Sequence, residues 1–294
     1  MNFLTTLQKL FLVSRPISWP NTAYPFAAGY LMSGGALDFT FWIGTLFFLA
    51  PYNLLMYGVN DVFDYESDIK NPRKGGIEGM REQRAFHPTI LIGSTLTTIP
   101  FAAYLLWQGS LLSKVTLLLL LFFVLAYSIR YLRFKERPFL DSATSSIHFV
   151  GPLIYALTLI GSAPHTWPYI IAFFLWGMAS HAFGAVQDII PDRHAHISSI
   201  ATFLGARYTV WLCIALYVVA SLLVIFQGFP ALLVGITGLS YAVNLLPFTS
   251  ITDQSSAQTN RGWKRFLVLN YLYGCVVTIV LLLSVHETNL LGIF

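Results

Sequence analysis

Nine stretches of roughly twenty predominantly apolar residues run through this chain, near positions 12–33, 39–59, 88–107, 113–130, 140–160, 167–187, 208–226, 229–250 and 266–285. A helix rising 1.5 Å per residue needs about 20 such residues to cross a hydrocarbon layer ~30 Å thick. The pattern predicts an all-α polytopic membrane protein of nine transmembrane helices, read as one domain over residues 1–294. Composition agrees. The 294 residues are 56% hydrophobic and 10% charged, whereas soluble domains are about 45–50% apolar and about a quarter charged. The fourth stretch is bounded by Lys114 and Arg130, and Pro247 softens the end of the eighth. Ser33-Gly34-Gly35 and Gly228-Phe229-Pro230 mark tight turns. The start lacks the basic segment of a cleaved signal peptide, and Pro16, Pro20 and Pro25 interrupt what would be its apolar core. Cys213 and Cys275 both fall in apolar runs and form neither a disulfide framework nor a zinc site.

Basic residues in loops set orientation. With nine spans, sixteen of the seventeen Lys and Arg residues fall on the side that holds the N-terminus; Lys114 alone falls on the other. The N-terminus is therefore expected to be cytoplasmic and the C-terminus outside. The cytoplasmic loops at about 60–87 and 188–207 carry most of the chemistry. A basic face of this kind attracts anionic lipid or an anionic substrate. Nucleic acid is not expected, because no soluble basic domain is present.

Acids are scarcer, with thirteen in all, and only Asp38 and Glu287 fall outside. NDVFDYESDIKNPRKGG (60–76) follows the second span, and Asp188 and Asp192 end the sixth. Both spans run toward the cytoplasmic face, so two acidic sets far apart in sequence can meet there. Asn60, Asp64 and Asp68 are four residues apart and line one helical face; Asn53 and Tyr57 extend that stripe into the membrane. Asp61 is ambiguous in register, and Glu66 faces water. Acids at a helix C-terminus repel the dipole and one another unless a cation sits between them. Oxygen ligands without His or Cys point to Mg²⁺ or a similar hard ion. Pro72 stops the helix, and Arg73 and Lys74 follow beside Gly75-Gly76. The loop after the fourth span, YSIRYLRFKERP, adds Tyr127, Arg133, Lys135 and Arg137. Acids for Mg²⁺ with guanidinium and ammonium groups form a clamp for a diphosphate. The plain alternatives are solvated loop acids and bases that only set topology.

The N-D-x-x-D-x-x-x-D of 60–68 and the D-x-x-x-D of 188–192 resemble the paired motifs of the UbiA superfamily of intramembrane prenyltransferases. Within it the chain is most similar to the bacterial lycopene elongases of C50 carotenoid biosynthesis. The similarity lies in SRPISWPNTAYPFAAGYL, PYNLLMYGVNDVFDYESDIKNPRKGG, LRFKERPFLDSATSSIHF and FLWGMASHAFGAVQDIIPDRHAHISSIATFLGAR. The resemblance implies a helical barrel around a central cavity open to lipid. It implies Mg²⁺ held by Asn60, Asp64, Asp68, Asp188 and Asp192, with Asp64 and Asp188 essential to catalysis. Arg73, Lys74, Tyr127, Arg133 and Lys135 would face the diphosphate. The implied reaction is transfer of a C5 group from dimethylallyl diphosphate to the ends of lycopene in the bacterial cell membrane, giving C45 and C50 carotenoids. Other carotenoid-pathway enzymes are the implied protein partners. One departure concerns Ile189, Ile190 and Pro191, which stand where many aromatic prenyltransferases carry further charge; this weakens an aromatic or quinone-precursor acceptor.

Other polar residues inside spans are costly and suggest function or interhelical bonding. Asp141, Ser145 and His148 share one face of the fifth span, and His181 lies about two turns before Asp188. His148 and His181 read either as cavity residues or as satisfied helix contacts. His194 and His196 read as a solvated pair, and Asn244 and Asn270 as helix braces. A rival of another class is a cation transporter that uses the intramembrane acids as its pathway. Against it, the acids concentrate at one face and are matched by bases.

Overall fold

The computed structural model describes residues 2–69, 82–161 and 165–290, with side chains described except at 67 and 285–290. Every regular element among the described residues is helical. In chain order they are α1 (Phe3–Val13), α2 (Pro20–Met32), α3 (Phe39–Leu49), α4 (Pro51–Asp68), α5 (His87–Gln108), α6 (Leu111–Ser128), α7 (Leu140–Ile160), α8 (Trp167–Val186), α9 (Ile189–His194), α10 (Ile200–Leu204), α11 (Ala206–Ile225), α12 (Ala231–Leu245) and α13 (Asn260–Leu290).

Eight helical runs among the described residues are long and apolar enough to cross a membrane, and each answers to one of the expected stretches from the second to the ninth. The first, 12–33, differs. Pro16 and Pro20 break it into the end of α1, a 3₁₀ turn over Pro16–Ser18, and the 13-residue α2. Proline lacks the N–H that helix continuation needs. At 1.5 Å per residue α2 is about 20 Å long, shorter than the hydrocarbon layer.

The chain separates into two compact units. The first holds the chain through Lys135 together with 147–164; the second holds 136–146 and everything from His165. Helix α7 thus begins in the second unit and ends in the first.

The first unit is built on aromatic packing. Phe26, Phe47, Phe48, Tyr52 and Tyr155 are all fully buried, with Phe48 within 5.1 Å of Phe26 and 5.2 Å of Tyr52 between ring centroids. Such pairs add to simple burial, and a buried tyrosine hydroxyl still needs a partner. Tyr52 donates to the His148 carbonyl at 3.1 Å, and Tyr155 donates to the Leu105 carbonyl at 3.2 Å. Helix α3 lies against α2 at Gly44, where a Cβ would run into the Phe26 ring. In the second unit α11 packs along α8 and α12. Tyr217 stacks on Tyr241 at 5.3 Å, and Trp176 meets Tyr241 edge-on at 5.7 Å. Asn244 and Asn270 brace helices as expected. Asn244 donates to the Gly262 carbonyl at 3.0 Å, and Asn270 accepts from the Tyr241 hydroxyl at 2.9 Å.

The stretch 39–59 is one crossing but two helices. Ala50 leaves helical geometry, and Pro51 starts α4 without an N–H to offer the preceding turn. The freed carbonyls are satisfied by side chains: Asn53 Nδ2 donates to Phe48 O at 2.9 Å and Leu49 O at 3.0 Å, and Thr22 Oγ1 donates to Phe48 O at 2.7 Å. Asn53 Nδ2 also reaches Thr22 Oγ1 at 2.7 Å. Asn53 is fully buried and closes the break that aims α4. Replacing Asn53 with Leu removes those donors and is expected to cost about 1–3 kcal/mol. Thermal unfolding of the purified protein in detergent checks this, and an unchanged melting temperature would contradict it.

Candidate active site

Helix α4 continues unbroken through Asn60, Asp61, Asp64 and Asp68. Its four-residue spacing brings Asn60 and Asp64 into contact, with Asn60 Nδ2 donating to Asp64 Oδ2 at 2.7 Å. The same amide donates to Ser128 Oγ at 3.2 Å, at the last residue of α6. Lys135, on a 3₁₀ turn over Phe134–Glu136, forms an ion pair with the other Asp64 oxygen. Asp64 and Asp68 are both buried. Two carboxylates one turn apart at the negative end of a helix favour a positive charge beside them, and Lys135 supplies one.

Asp61 takes a different direction. Arg15 Nη2 bonds its carboxylate at 2.6 Å, and the Arg15 guanidinium lies 4.2 Å from the centre of the Tyr57 ring. Register alone left Asp61 open; in the structure it answers to α1 and its following turn. Tyr57 shares that cluster, so its ring is taken up by Arg15. Glu66 is exposed, as expected, and pairs with Arg84.

Arg133 adopts a left-handed backbone with φ of 37°, and its N–H donates to Ile129 O at 2.9 Å. Tyr127 meets the His148 ring edge-on at 5.2 Å, and His148 Nε2 lies 3.3 Å from the Phe123 carbonyl. His148 is buried and bonded between helices. Arg73 and Lys74 lie outside the described residues.

In the second unit Asp188 sits at the kink between α8 and α9, with φ −100° and ψ 2°. The Asp192 N–H donates to Asp188 O at 2.8 Å, so the two acids stay one turn apart, Asp188 as the N-cap and Asp192 within the six-residue α9, rather than on an extension of α8. Both are half-buried. Arg193 anchors this helix: Nη1 bonds Asp253 at 2.6 Å and Nη2 donates to Thr202 O at 3.1 Å. Asp253 also accepts from the Ala206 N–H at 2.7 Å, capping α11. Asp141, fully buried, accepts from Ser142 N at 2.7 Å and from Ile200 N at 2.8 Å. His181 Nδ1 lies 3.1 Å from Ser142 Oγ. His194 and His196 are exposed.

Sequence reasoning missed the anchoring roles of Arg15, Ser128, Arg193 and Asp253. Arg15 carried a signal, being a lone charge just ahead of Pro16 in an apolar stretch. Asp253 carried another in Thr252-Asp253-Gln254-Ser255, a helix-start pattern that forms a capping box here.

Among the described residues no three His, Cys, Asp or Glu side chains gather into a ready-made metal cage. The donor set nevertheless suits a hard divalent ion. It is all oxygen, Asn60 offering its amide carbonyl, and Mg²⁺ takes few protein carboxylates and fills its remaining positions with water or phosphate oxygens.

Comparison with known proteins supplies the family. The model of the UbiA prenyltransferase family matches residues 22–283. A lycopene elongase/hydratase of Corynebacterium glutamicum is 50% identical over 283 residues, covering 96% of this chain and 98% of its own length. A C(50) beta-cyclic carotenoids biosynthesis protein of Dietzia sp. is 50% identical over 282 residues, covering 95% of this chain and 65% of its own. A solved UbiA homolog from Archaeoglobus fulgidus bound to DMAPP and Mg²⁺ superposes with a TM-score of 0.65 at 16% identity, over 90% of this chain and 98% of that one; it shows the fold.

Arg15 and Asp61 side chains are 14% and 3% exposed. Breaking a buried pair on one side costs about 3–5 kcal/mol, more than removing both partners. Arg15→Leu is therefore expected to destabilise strongly, and the double variant Arg15→Leu/Asp61→Leu to regain most of the loss. Simple additivity in a double-mutant cycle would contradict the pairing.

Proposed function

The chain belongs to the UbiA prenyltransferase family, and we propose that it transfers a C5 prenyl group from dimethylallyl diphosphate to the ends of lycopene, giving C45 and C50 carotenoids. One observation carries this reading: 50% identity to a lycopene elongase/hydratase along essentially the whole of both chains. The proposed setting is the bacterial cell membrane, with nine spans counting the short α2 and an N-terminus on the cytoplasmic side. The shape proposed is a helical barrel around a cavity open to lipid.

Asn60, Asp64, Asp68, Asp188 and Asp192 would hold Mg²⁺, whose charge, when bound, neutralises the diphosphate leaving group. The protein's own groups prepare the rest. Ser128 orients the Asn60 amide, and Asn60 in turn fixes one oxygen of Asp64. Arg193 holds the short helix that carries Asp192. Lys135 and Arg133, with Arg73 and Lys74, offer donors to the diphosphate oxygens, and the Tyr127 ring is held by His148. Donors set in advance where negative charge develops lower the barrier to breaking the allylic C–O bond. The bonding pair leaves with diphosphate. A terminal alkene of lycopene attacks the allylic carbon, and the resulting tertiary cation loses a proton or gains water. An apolar interior keeps bulk water from the allylic cation, and aromatic faces stabilise such a cation by about 0.5–2 kcal/mol each.

Expression in a lycopene-producing host, with pigments read by mass, tests the proposal. Lycopene is expected to gain one and two C5 units. Asp64→Ala and Asp188→Ala are each expected to abolish the gain while the protein still accumulates in the membrane. Unaltered lycopene with the native chain, or full conversion by both variants, would overturn the reading.

A further inference from the structure

Lys135 does more on this geometry than wait for a phosphate. Its ammonium pairs with one oxygen of Asp64, and the two side chains are only 11% and 7% exposed. The other Asp64 oxygen is held by Asn60 at 2.7 Å. Arg133 turns the chain toward this contact through a left-handed backbone, a conformation that residues other than glycine seldom adopt. The ammonium therefore sits on a carboxylate that the proposed function assigns to a divalent ion.

We infer that Lys135 is a tethered counter-cation that makes divalent-ion binding at Asn60, Asp64 and Asp68 conditional on the arrival of a diphosphate. The inference rests on the metal-and-diphosphate reading above and adds a binding order to it. While Lys135 pairs with Asp64, a divalent ion must displace an ammonium from a buried carboxylate. Its apparent affinity then falls by the fraction of molecules in which Asp64 has been vacated. A diphosphate offers Lys135 a partner with more charge and more acceptor oxygens. Lysine suits the exchange, because its ammonium is a point charge on a flexible stem, whereas arginine would grip the carboxylate through a planar fork. The exchange moves cations only: Lys135 passes from Asp64 to the diphosphate as the divalent ion takes its place, and no covalent bond changes. Coupling of this kind is reciprocal, so each ligand raises the affinity of the other. Without substrate, the buried acid stays neutralised and stray divalent ions are refused.

The test is binding of Mn²⁺, read by the loss of its free-ion electron paramagnetic resonance signal, to the purified full chain without any diphosphate. Lys135→Met is expected to bind Mn²⁺ about tenfold or more tightly than the native chain, the factor expected if the paired state holds nine-tenths or more of the molecules. Lys135→Arg is expected to bind no more tightly than native. Lys135→Met/Asp64→Ala is expected to lose the gain. Equal Mn²⁺ affinity in the native chain and Lys135→Met, with both weakened by Asp64→Ala, would overturn the inference and leave the metal reading standing. Mn²⁺ binding indifferent to Asp64 in every chain would overturn both. Lys135→Gln removes the same charge and serves in its place if the Met variant does not fold.

Discussion

A carboxylate taken out of water is tolerated only where a cation or a set of N–H donors stands beside it. That constraint organises this molecule, because a chain so apolar has little water to lend. Asp61 is met by Arg15 and Asp64 by Lys135, while Asp141 is met by two backbone N–H groups; nearer the surface, Asp253 is met by Arg193. Each compensation also fixes a piece of backbone. Arg15 ties the turn after α1 to α4, and Asp253 and Asp141 hold the starts of α11 and α10. The acids that the family reading gives to a metal thus stand among acids whose task is to hold elements in place. Asp64 differs from those anchoring acids in what compensates it. A mobile ammonium can be exchanged for another cation, whereas a backbone N–H or a guanidinium lodged against an aromatic ring stays.

The same economy governs the helix breaks. The break at Ala50-Pro51 interrupts the crossing from Phe39, and the Phe48 and Leu49 carbonyls it leaves are taken up by Asn53 and Thr22. In hydrocarbon an unmet carbonyl costs several kcal/mol, so a break there needs its own donors. The break allows α4 to start afresh and run to Asp68 with Asn60 and Asp64 on one face. In the second unit the kink at Asp188 places Asp192 on a separate short helix that Asp188 caps and Arg193 secures. Local departures from regular helix therefore aim the acids in both units.

Much of this was legible in the sequence. Hydrophobic runs of membrane length announced the helices, since nothing else satisfies the backbone of such a segment in lipid. Four-residue spacing announced the Asn60–Asp64 contact, because side chains four apart meet on a helix. The limits were equally physical. Counting apolar residues cannot tell a full-length span from a proline-broken one, which is why 12–33 read as a single crossing although α2 is 13 residues long. Periodicity carried the stripe back to Asn53 and Tyr57, but it has no knowledge of which neighbour claims a side chain; Thr22 and the α3 carbonyls claim Asn53, and Arg15 claims the Tyr57 ring. Asp61 was undecidable for the same reason, because its partner lies forty-six residues away in the chain. Acceptor identity lies beyond both periodicity and charge, and rests on similarity to the lycopene elongases.

The central claim is that these acids and bases serve transfer of a C5 group to lycopene. Its most direct test uses the purified chain in lipid nanodiscs with lycopene, Mg²⁺ and isotopically labelled dimethylallyl diphosphate, the products being resolved by mass. Labelled C45 and C50 carotenoids that form with Mg²⁺ and stop forming when a chelator removes it are the expected result. Failure to label lycopene under conditions in which the same preparation prenylates an aromatic acceptor, or labelling indifferent to the chelator, would contradict it.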